Sequence, residues 1–197
     1  MKILNFGSLS IDYVYSVDHF VQKGETISSS QMNIFSGGKG LNQSVALGRA
    51  GAKVFHAGRI GKDGEFLVEQ LKEAGVNTDL VVVDEDCSTG HAIIQNDAEG
   101  DNCILLYGGA NQRITKEQID AALEQFDAGD YLVLQNEISN LPYLMEKAAE
   151  KQMKIVLNPS PMDEKIKALP LDKVTLFFVN EIEAAQILGQ KELESTE

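Results

Sequence analysis

The 197-residue sequence is acidic, with 17 Lys and Arg against 30 Asp and Glu and a formal net charge of −13, while its hydrophobic fraction of 43% is ordinary for a folded protein. That charge argues against a basic face for nucleic acid or an anionic membrane, and no segment has the layout of a signal peptide or the length of a membrane span. Two cysteines are too few for a disulfide scaffold, so we expect a cytoplasmic protein with neither nucleic acid nor membrane as a partner.

The first part of the chain alternates predicted strands with a glycine-rich turn and a helix. Lys2–Gly7 is a short apolar run typical of a buried strand, and Lys53–Gly61 is another. Between them, Tyr13–Val17 and Gln31–Phe35 are rich in β-forming residues and partly alternate, which predicts strands with one exposed face. The turn at residues 37–40 leads directly into the helix.

The middle of the chain changes character before the alternation of helices and strands returns. The segment DLVVVDEDCSTGHAIIQNDAEGDNCILLYGGAN, residues 79–111, contains three short β runs and a turn, which predicts a hairpin. Later apolar runs predict strands at residues 131–135, 154–158 and 174–179 and a final helix over residues 181–188.

Capping residues predict where several helices begin. Asp63 is expected to cap a helix that ends at Gly75, and Ser139 is expected to cap the helix that follows it. Thr115 and Gln118 have the spacing of a capping box. The predicted strands are therefore joined by helices, as parallel strands require.

These elements predict an α/β fold with a doubly wound, mostly parallel sheet and helices on both of its faces. The β-only segments at residues 12–36 and 80–107 do not fit the alternation, and they are expected to pair into a small separate sheet. An exposed sheet with an apolar face usually covers something. A lid over a substrate and a dimer contact both remain open, and neither excludes the other. Because the chain stops just after a helix, we expect a sheet that is incomplete at its C-terminal side.

The glycine-rich turn SGGKGLNQS, residues 36–44, allows two interpretations. Backbone N–H groups at the start of a helix favour an anion or a hydroxyl-rich ligand. Alternatively, the turn needs glycines only for its shape. The spacing matches neither of the two best-known phosphate loops, G-x-x-x-x-G-K-[ST] and G-x-G-x-x-G. The local chemistry alone therefore does not choose between a ligand site and a tight turn.

Over a longer stretch, the turn resembles the first signature of the ribokinase family, also called the PfkB family of carbohydrate kinases. The matching positions are Gly37, Gly38, Gly40, Asn42, Ser44, Gly51 and Gly61. Further counterparts follow in order and cover essentially the whole chain: GSLSID, YGGAN, LQNE, LNPSP and NEIE. The resemblance implies that residues 1–197 form the N-terminal part of a single ribokinase-like domain whose small sheet is a lid.

The resemblance also implies a set of sugar-binding residues, namely Ser10, Asp12, Gly38, Lys39, Gly40, Asn42 and Glu137. Asp12 and Glu137 are expected to accept hydrogen bonds from sugar hydroxyls, since a carboxylate accepts two such bonds at once. Ser10 stands where the family usually has asparagine and offers one hydroxyl instead of an amide. The resemblance therefore implies a sugar or sugar-like alcohol, of which ribose is one.

The remaining sugar-binding positions belong to the turn and to the helix after it. Gly38 and Gly40 are expected to let the backbone approach the sugar closely. Lys39 is expected to reach the sugar oxygens or the phosphate as it is transferred, and Asn42 to point its amide at the same ligand. Without the resemblance, Lys39 would be interpreted as an ordinary solvated lysine.

Asn180 and Glu183 resemble the family's Asn-x-x-Glu element. The resemblance implies that Asn180 binds the nucleotide phosphates and that Glu183 holds magnesium through water, so ATP and Mg²⁺ are the implied cofactors. A monovalent cation such as K⁺ is implied for a full-length protein. The same two residues have the spacing of a capping box, which needs no ligand.

The family's Gly-Ala-Gly-Asp segment, which supplies the anion hole and the catalytic aspartate, is not present in the sequence. Its nearest likeness, Ala128–Asp130, lies between a helix and a strand, in the wrong context. The expected function is therefore ATP-dependent phosphorylation of O5 of ribose by the parent protein, with the catalytic aspartate beyond residue 197 and this chain alone inactive. The alternatives are a related kinase of fructose, a nucleoside or another polyol, and a non-catalytic chain that binds sugar or dimerises through the lid.

Overall fold

The computed structural model describes residues 1–190, in which a six-stranded parallel sheet forms the centre of the fold. Its strands follow the order β10-β9-β8-β1-β4-β5, and each pairs in parallel with its neighbours. The strands are β1 (Ile3–Phe6), β4 (Val54–Gly61), β5 (Asn77–Asp84), β8 (Tyr131–Gln135), β9 (Lys154–Asn158) and β10 (Val174–Phe177). The predicted parallel sheet is confirmed.

A second sheet of four strands, called the small sheet below, has the order β3-β2-β6-β7. Its strands are β2 (Ser10–Ser16), β3 (Gln31–Gly37), β6 (Gly90–Asn96) and β7 (Asn102–Tyr107). Strand β2 pairs in parallel with β6, whereas the other two pairings are antiparallel. Two β segments far apart in sequence thus pair as expected.

The predicted boundary of the second β segment, residues 80–107, is wrong at its start. Residues 80–84 belong to β5, which pairs with β4 at the edge of the large sheet. The reason is that this run follows a helical crossover from β4 and has apolar partners on both faces: Leu80 packs on one hydrophobic core and Val81 on the other. A strand covered on both sides belongs in a parallel sheet between helices.

Helices cover both faces of the large sheet. On one face, α1 (Lys39–Arg49) and α2 (Glu65–Glu73) bury leucines against β1, β4 and β5. On the other, α3 (Lys116–Leu123) and α4 (Leu141–Glu150) pack on β1, β8 and β9. A short helix, α5 (Glu181–Ile187), follows β10. Within residues 1–190, no helix is long and apolar enough to cross a membrane.

Of the caps predicted at Asp63, Thr115 and Ser139, only the one at Thr115 forms, since its hydroxyl accepts a hydrogen bond from the N–H of Gln118. The Gln118 amide donates to the Gly58 carbonyl, so the predicted capping box is only half formed. The Asp63 carboxylate instead accepts the N–H and the hydroxyl of Thr89, at 2.9 and 2.6 Å. The hydroxyl of Ser139 donates to a backbone carbonyl near the start of α3. Both side chains therefore form hydrogen bonds with residues distant in sequence, and neither caps the helix that follows it.

The chain passes repeatedly between the two sheets at the same edge of the large sheet. It leaves the large sheet after β1 and after β5, and it returns into α1 and towards α3. The small sheet therefore stands above the carboxyl ends of the parallel strands. That edge is where open α/β sheets bind their ligands.

Candidate functional site

A cleft of about 640 Å³ lies between the small sheet and the carboxyl ends of β1 and β8. Six of the sugar-binding residues expected from the sequence line it, namely Ser10, Asp12, Gly38, Lys39, Asn42 and Glu137. Residues from β2, α1 and the loop after β8 thus meet although they are up to 127 positions apart (137 − 10). Gly40, Asn180 and Glu183 are not among the lining residues.

Two glycines of the turn shape the mouth of the cleft. A Cβ on Gly37 would lie 2.3 Å from both carboxylate oxygens of Asp12, so only glycine leaves room for that carboxylate. Gly38 has φ of 95°, and a Cβ on it would lie 2.8 Å from the Ser8 carbonyl oxygen. The positive φ itself favours glycine here. The turn therefore needs these glycines to place Asp12 and to begin α1.

Gly40 is buried beneath the cleft and is not one of its lining residues. A Cβ at this position would lie 2.4 Å from the Ser8 nitrogen and 2.5 Å from the Gly7 carbonyl carbon. The absence of a side chain instead lets the first turn of α1 pack directly on the backbone after β1. The N–H of Leu41 then donates to the Ser8 carbonyl at 2.9 Å, and that of Gly40 to the Ser8 hydroxyl at 3.2 Å.

The Glu137 carboxylate lies at the N-terminus of α1 and is the best-connected acceptor of the cleft. Its Oε2 accepts the backbone N–H of Lys39 at 3.0 Å and the hydroxyl of Ser8. Its Oε1 accepts the Lys39 ammonium at 3.0 Å. The helix dipole favours a negative charge at this place. Glu137 thus joins three separate chain segments and keeps Lys39 inside the cleft.

The Asp12 carboxylate has fewer partners than Glu137. Its one side-chain donor is the Ser10 hydroxyl, 3.5 Å from Oδ1. Burial raises the pKa of Asp12; the Ser10 hydrogen bond lowers it, Glu137 raises it and Lys39 lowers it. Because a carboxylate has about four lone-pair positions, Asp12 retains acceptors that face the cleft.

An apolar wall faces these polar groups across the cleft. Ala92, Ile94, Ile104 and Leu106 line it. Asp12 pairs with Ala92, Ala92 with Leu106 and Ile94 with Ile104, so all of them share one face of the small sheet. Ile104 and Leu106 are more than half exposed in the open cleft. This wall was not predicted from the sequence. The alternation along β6 and β7 does indicate it, because every second side chain of a strand points to the same face.

Below the cleft, four fully buried polar side chains connect α1 to the large sheet. The Asn5 amide donates to the Gly40 carbonyl at 2.8 Å and to the Ser44 hydroxyl at 2.9 Å, and that hydroxyl bonds Nδ1 of His56 at 2.8 Å. Gln135 donates to Asn5 Oδ1 at 3.0 Å. These hydrogen bonds connect the first turns of α1 to β1, β4 and β8. They were not predicted from the sequence.

His56 makes the stability of the protein dependent on pH. Burial lowers its pKa to about 4, although an interaction with the Gly7 backbone opposes the shift. The unfolded chain takes up the proton near the ordinary pKa of 6.5, so the neutral imidazole stabilises the fold above pH 6.5 and this contribution is lost as the pH falls towards 4.

We expect the free energy of unfolding to fall by about 2 kcal/mol more between pH 7.5 and pH 5 in the wild type than in a His56→Gln chain. Urea unfolding at the two pH values measures this difference. The Asp and Glu side chains are the same in both chains, so their contribution to the pH dependence cancels in the comparison. An identical pH dependence in the two chains would contradict the role of His56.

Asn180 and Glu183 form the capping box at the start of α5. The Glu183 N–H donates to Asn180 Oδ1 at 2.8 Å, and the Asn180 N–H donates to Glu183 Oε2 at 3.1 Å. The capping interpretation is therefore confirmed. Glu183 keeps a second carboxylate oxygen, which fits a contact to magnesium through water, and within residues 1–190 no group of three His, Cys, Asp or Glu side chains is arranged to hold a metal directly.

The Ala128–Asp130 turn is a structural element outside the cleft. Gly129 has φ of 83°, and the Asp130 carboxylate accepts the backbone N–H of Lys2 at 2.7 Å and of Asp127 at 3.1 Å. Its acceptors are thus used at the amino end of β1. This geometry agrees with the sequence context, which argued against a catalytic aspartate here.

Comparison with known proteins agrees with this architecture. All 197 residues match the family described as pfkB family carbohydrate kinase. Ribokinase of Bacillus subtilis is 36% identical over 190 residues, which is 93% of this chain and 64% of that protein. Ribokinase of Staphylococcus aureus is 34% identical and is covered to the same 64%.

Solved structures show the same fold. The structure of Arabidopsis thaliana ribokinase complexed with ribose and ATP matches with a TM-score of 0.84 at 26% identity, over 98% of this chain and 64% of that one. Ribokinase from Cryptococcus neoformans in complex with ADP matches with a TM-score of 0.80 at 37% identity, over 97% and 63%. The chain thus spans just under two thirds of the length of these relatives, and it belongs to the pfkB family of carbohydrate kinases.

Proposed function

We propose that the chain carries the sugar-binding cleft of an ATP-dependent sugar kinase whose acceptor is O5 of D-ribose. The observation that carries the proposal is the meeting of Asp12, Lys39 and Glu137 in one cleft beneath an apolar wall. Ribokinases are the relatives with similar sequences, and one of the matching structures contains ribose and ATP.

The proposed binding mode follows from the two unlike walls of the cleft. A sugar has hydroxyls around its edge and C–H groups on its faces. Asp12 and Glu137 accept the hydroxyls, while Ile94 and Leu106 pack against the carbon face. Lys39 already touches Glu137, so it lies next to any oxygen that Glu137 binds. ATP with Mg²⁺ would supply the phosphoryl group, and Asn180 and Glu183 are the residues proposed to hold them.

We further propose that this chain by itself binds sugar but does not turn over ATP. Phosphoryl transfer requires an activated nucleophile as well as positioning. No Gly-Ala-Gly-Asp segment occurs in the 197 residues to supply the base and the anion hole. Ribose-dependent ADP formation at a normal kinase rate would contradict this and would assign the base to a carboxylate of the cleft, such as Asp12.

Calorimetric titration of the chain with D-ribose, D-fructose and adenosine tests the proposed substrate. We expect ribose to bind most tightly, and Asp12→Asn to weaken it at least roughly tenfold because a hydrogen bond to a charged acceptor is worth about 1.5–3 kcal/mol. Asp172→Asn, on the exposed surface, is the matched control and should bind as the wild type does. Equal affinities for ribose and fructose would instead favour a kinase of broader sugar specificity.

We also propose a homodimer through the face of the small sheet that points away from the cleft. Ile34, Tyr13, Ile93 and Leu105 form one cross-strand row on that face. Ile34 and Leu105 are 52% and 67% exposed, an unusual arrangement for large apolar side chains in adjacent strands. Covering such a row with a second copy removes it from water.

Sedimentation equilibrium of a Leu105→Glu chain tests the dimer. The wild type is expected to be dimeric and the variant monomeric, because the charge would be buried against a second apolar row. Leu188→Glu is the control, since Leu188 is 64% exposed just after α5 and belongs to neither the small sheet nor its connections. A monomeric wild type would remove the proposal.

A further inference from the structure

Asn111, the last residue of the YGGAN segment, is buried where the chain returns from the small sheet. It is 4% exposed, and its side chain makes a double hydrogen bond to one residue. Its amide donates to the Leu9 carbonyl at 2.8 Å, and its Oδ1 accepts the Leu9 N–H at 3.1 Å. The side chain thus pairs with both backbone groups of Leu9, as a neighbouring strand would, at the junction of β1 and β2.

The two residues that flank Leu9 donate hydrogen bonds to the two carboxylates of the cleft. Leu9 lies between Ser8, which donates to Glu137, and Ser10, which donates to Asp12. The Asn111 carbonyl accepts the N–H of Ser139, two positions after Glu137, at 3.1 Å. Asn111 therefore contacts both of the chain segments that position the Asp12 and Glu137 carboxylates.

The surroundings of Asn111 leave no space for another arrangement. A Cβ on Gly90 would lie 2.3 Å from the Asn111 amide nitrogen. Gly109 has φ of 49°, and a Cβ on it would lie 2.6 Å from the Ser88 carbonyl oxygen, which already accepts the Ala110 N–H at 3.0 Å. Gly90 and Gly109 thus make the room that brings Asn111 into contact with Leu9.

Only an amide of this length offers a donor and an acceptor to a single backbone residue. Aspartate has the same shape, but its carboxylate would face the Leu9 carbonyl without a hydrogen to donate. Alanine would leave both backbone groups of Leu9 buried and unpaired, which is costly. The chemistry of the position is therefore specific to asparagine.

We propose that Asn111 is a positioning residue for the sugar site, holding Asp12 on the small sheet and Glu137 on the large sheet at a fixed separation. The proposal rests on the proposed sugar binding. Asn111 also borders the cleft, but the hydrogen bonds of its side chain go to Leu9. Its loss therefore frees the junction of β1 and β2 that carries Asp12, while Glu137 keeps its own bonds to Ser8 and Lys39.

The test compares Asn111→Ala and Asn111→Asp with Asn140→Ala. Asn140 also donates its amide to a buried backbone carbonyl, that of Ile114, at 2.8 Å, but has no contact with Leu9. In calorimetry under conditions where every chain is folded, we expect both Asn111 variants to bind ribose at least roughly tenfold more weakly than the wild type. Asn140→Ala is expected to lose similar stability and to keep wild-type affinity. Equal losses of affinity in the Asn111 and Asn140 variants would overturn the proposal.

Hydrogen exchange without sugar gives a second, independent measurement. In Asn111→Ala, amide exchange is expected to rise at residues 9–12, because Leu9 loses both of its side-chain partners. It is expected to be unchanged at Ser139, whose N–H donates to the backbone carbonyl of residue 111, and at the far end of β9. Unchanged exchange at residues 9–12 would refute the positioning role. Raised exchange there in the variant, together with a wild type that binds no ribose, would contradict the proposed function and leave the linkage through Asn111 supported.

Discussion

A Gly40→Ala chain is expected to lose about 3 kcal/mol of stability and to lose measurable sugar binding, because the added methyl group would displace α1 from the large sheet. The new Cβ would lie 2.4 Å from the Ser8 nitrogen and 2.5 Å from the Gly7 carbonyl carbon. Both atoms are backbone, so no rotation of a side chain relieves the contact. A displaced α1 would carry Lys39 away from Glu137.

Denaturant unfolding and ribose calorimetry on the same preparation measure both effects. Gly51→Ala is the matched control, since Gly51 has φ of 82° but nothing lies within 4 Å of its Cβ position. That control is expected to lose only the roughly 1–2 kcal/mol of a left-handed alanine and to keep its ribose affinity. Wild-type affinity in a folded Gly40→Ala chain would show that the docking of α1 does not set the site.

The glycine turn shows how far the sequence analysis reached. Its spacing predicted the turn and the helix after it, which the structure confirms, and through the family resemblance it also predicted a sugar site. It did not show that Gly37 makes room for Asp12 and Gly40 for the backbone at Ser8. Those contacts join residues 25 and 32 positions apart (37 − 12 and 40 − 8), and a local pattern does not specify which distant atoms a glycine will meet.

The wrong boundary of the small sheet has a similar origin. Residues 80–84 are as β-rich as residues 90–107, so local propensity gives the two segments one character. What separates them is the crossover through α2, which returns β5 to a place beside β4. Strand type was therefore predictable from the residues, whereas the choice of sheet depended on connectivity.

The buried hydrogen bonds among Asn5, Ser44, His56 and Gln135 could not be predicted from the sequence, for another reason. Asn5, His56 and Gln135 each lie in an apolar strand, where a single polar residue is usually interpreted as facing solvent. Parallel pairing places Asn5 beside His56, and Ser44 joins them from α1. The hydrogen bonds become visible only when three strands and one helix are brought together.

Replacing Glu137 tests its proposed role as an acceptor for the sugar against its observed role as the partner of Lys39. Glu137→Gln keeps the shape and one carbonyl oxygen, but its amide N–H₂ would meet the donors of Ser8 or Lys39. We expect ribose affinity to fall by roughly one to two orders of magnitude, the cost of about 1.5–3 kcal/mol for a hydrogen bond to a charged acceptor. Stability should fall by about 1–3 kcal/mol as well, because the Glu137 side chain is only 17% exposed and the donors of Ser8 or Lys39 would lose an acceptor.

A double-mutant cycle with Lys39→Met assigns the lost affinity to one of the two roles. If Glu137 binds the sugar directly, the double variant should bind ribose more weakly than Lys39→Met alone, with a coupling term because the two side chains are in contact. If Glu137 acts mainly by holding Lys39, the double variant should bind ribose no more weakly than Lys39→Met alone. We expect the double variant to be the weaker binder, because Oε1 accepts only one of the three donors and retains a lone pair for a sugar hydroxyl. Unchanged affinity in Glu137→Gln would remove Glu137 from the sugar site, and its carboxylate would then serve only to hold Ser8 and Lys39 at the start of α1.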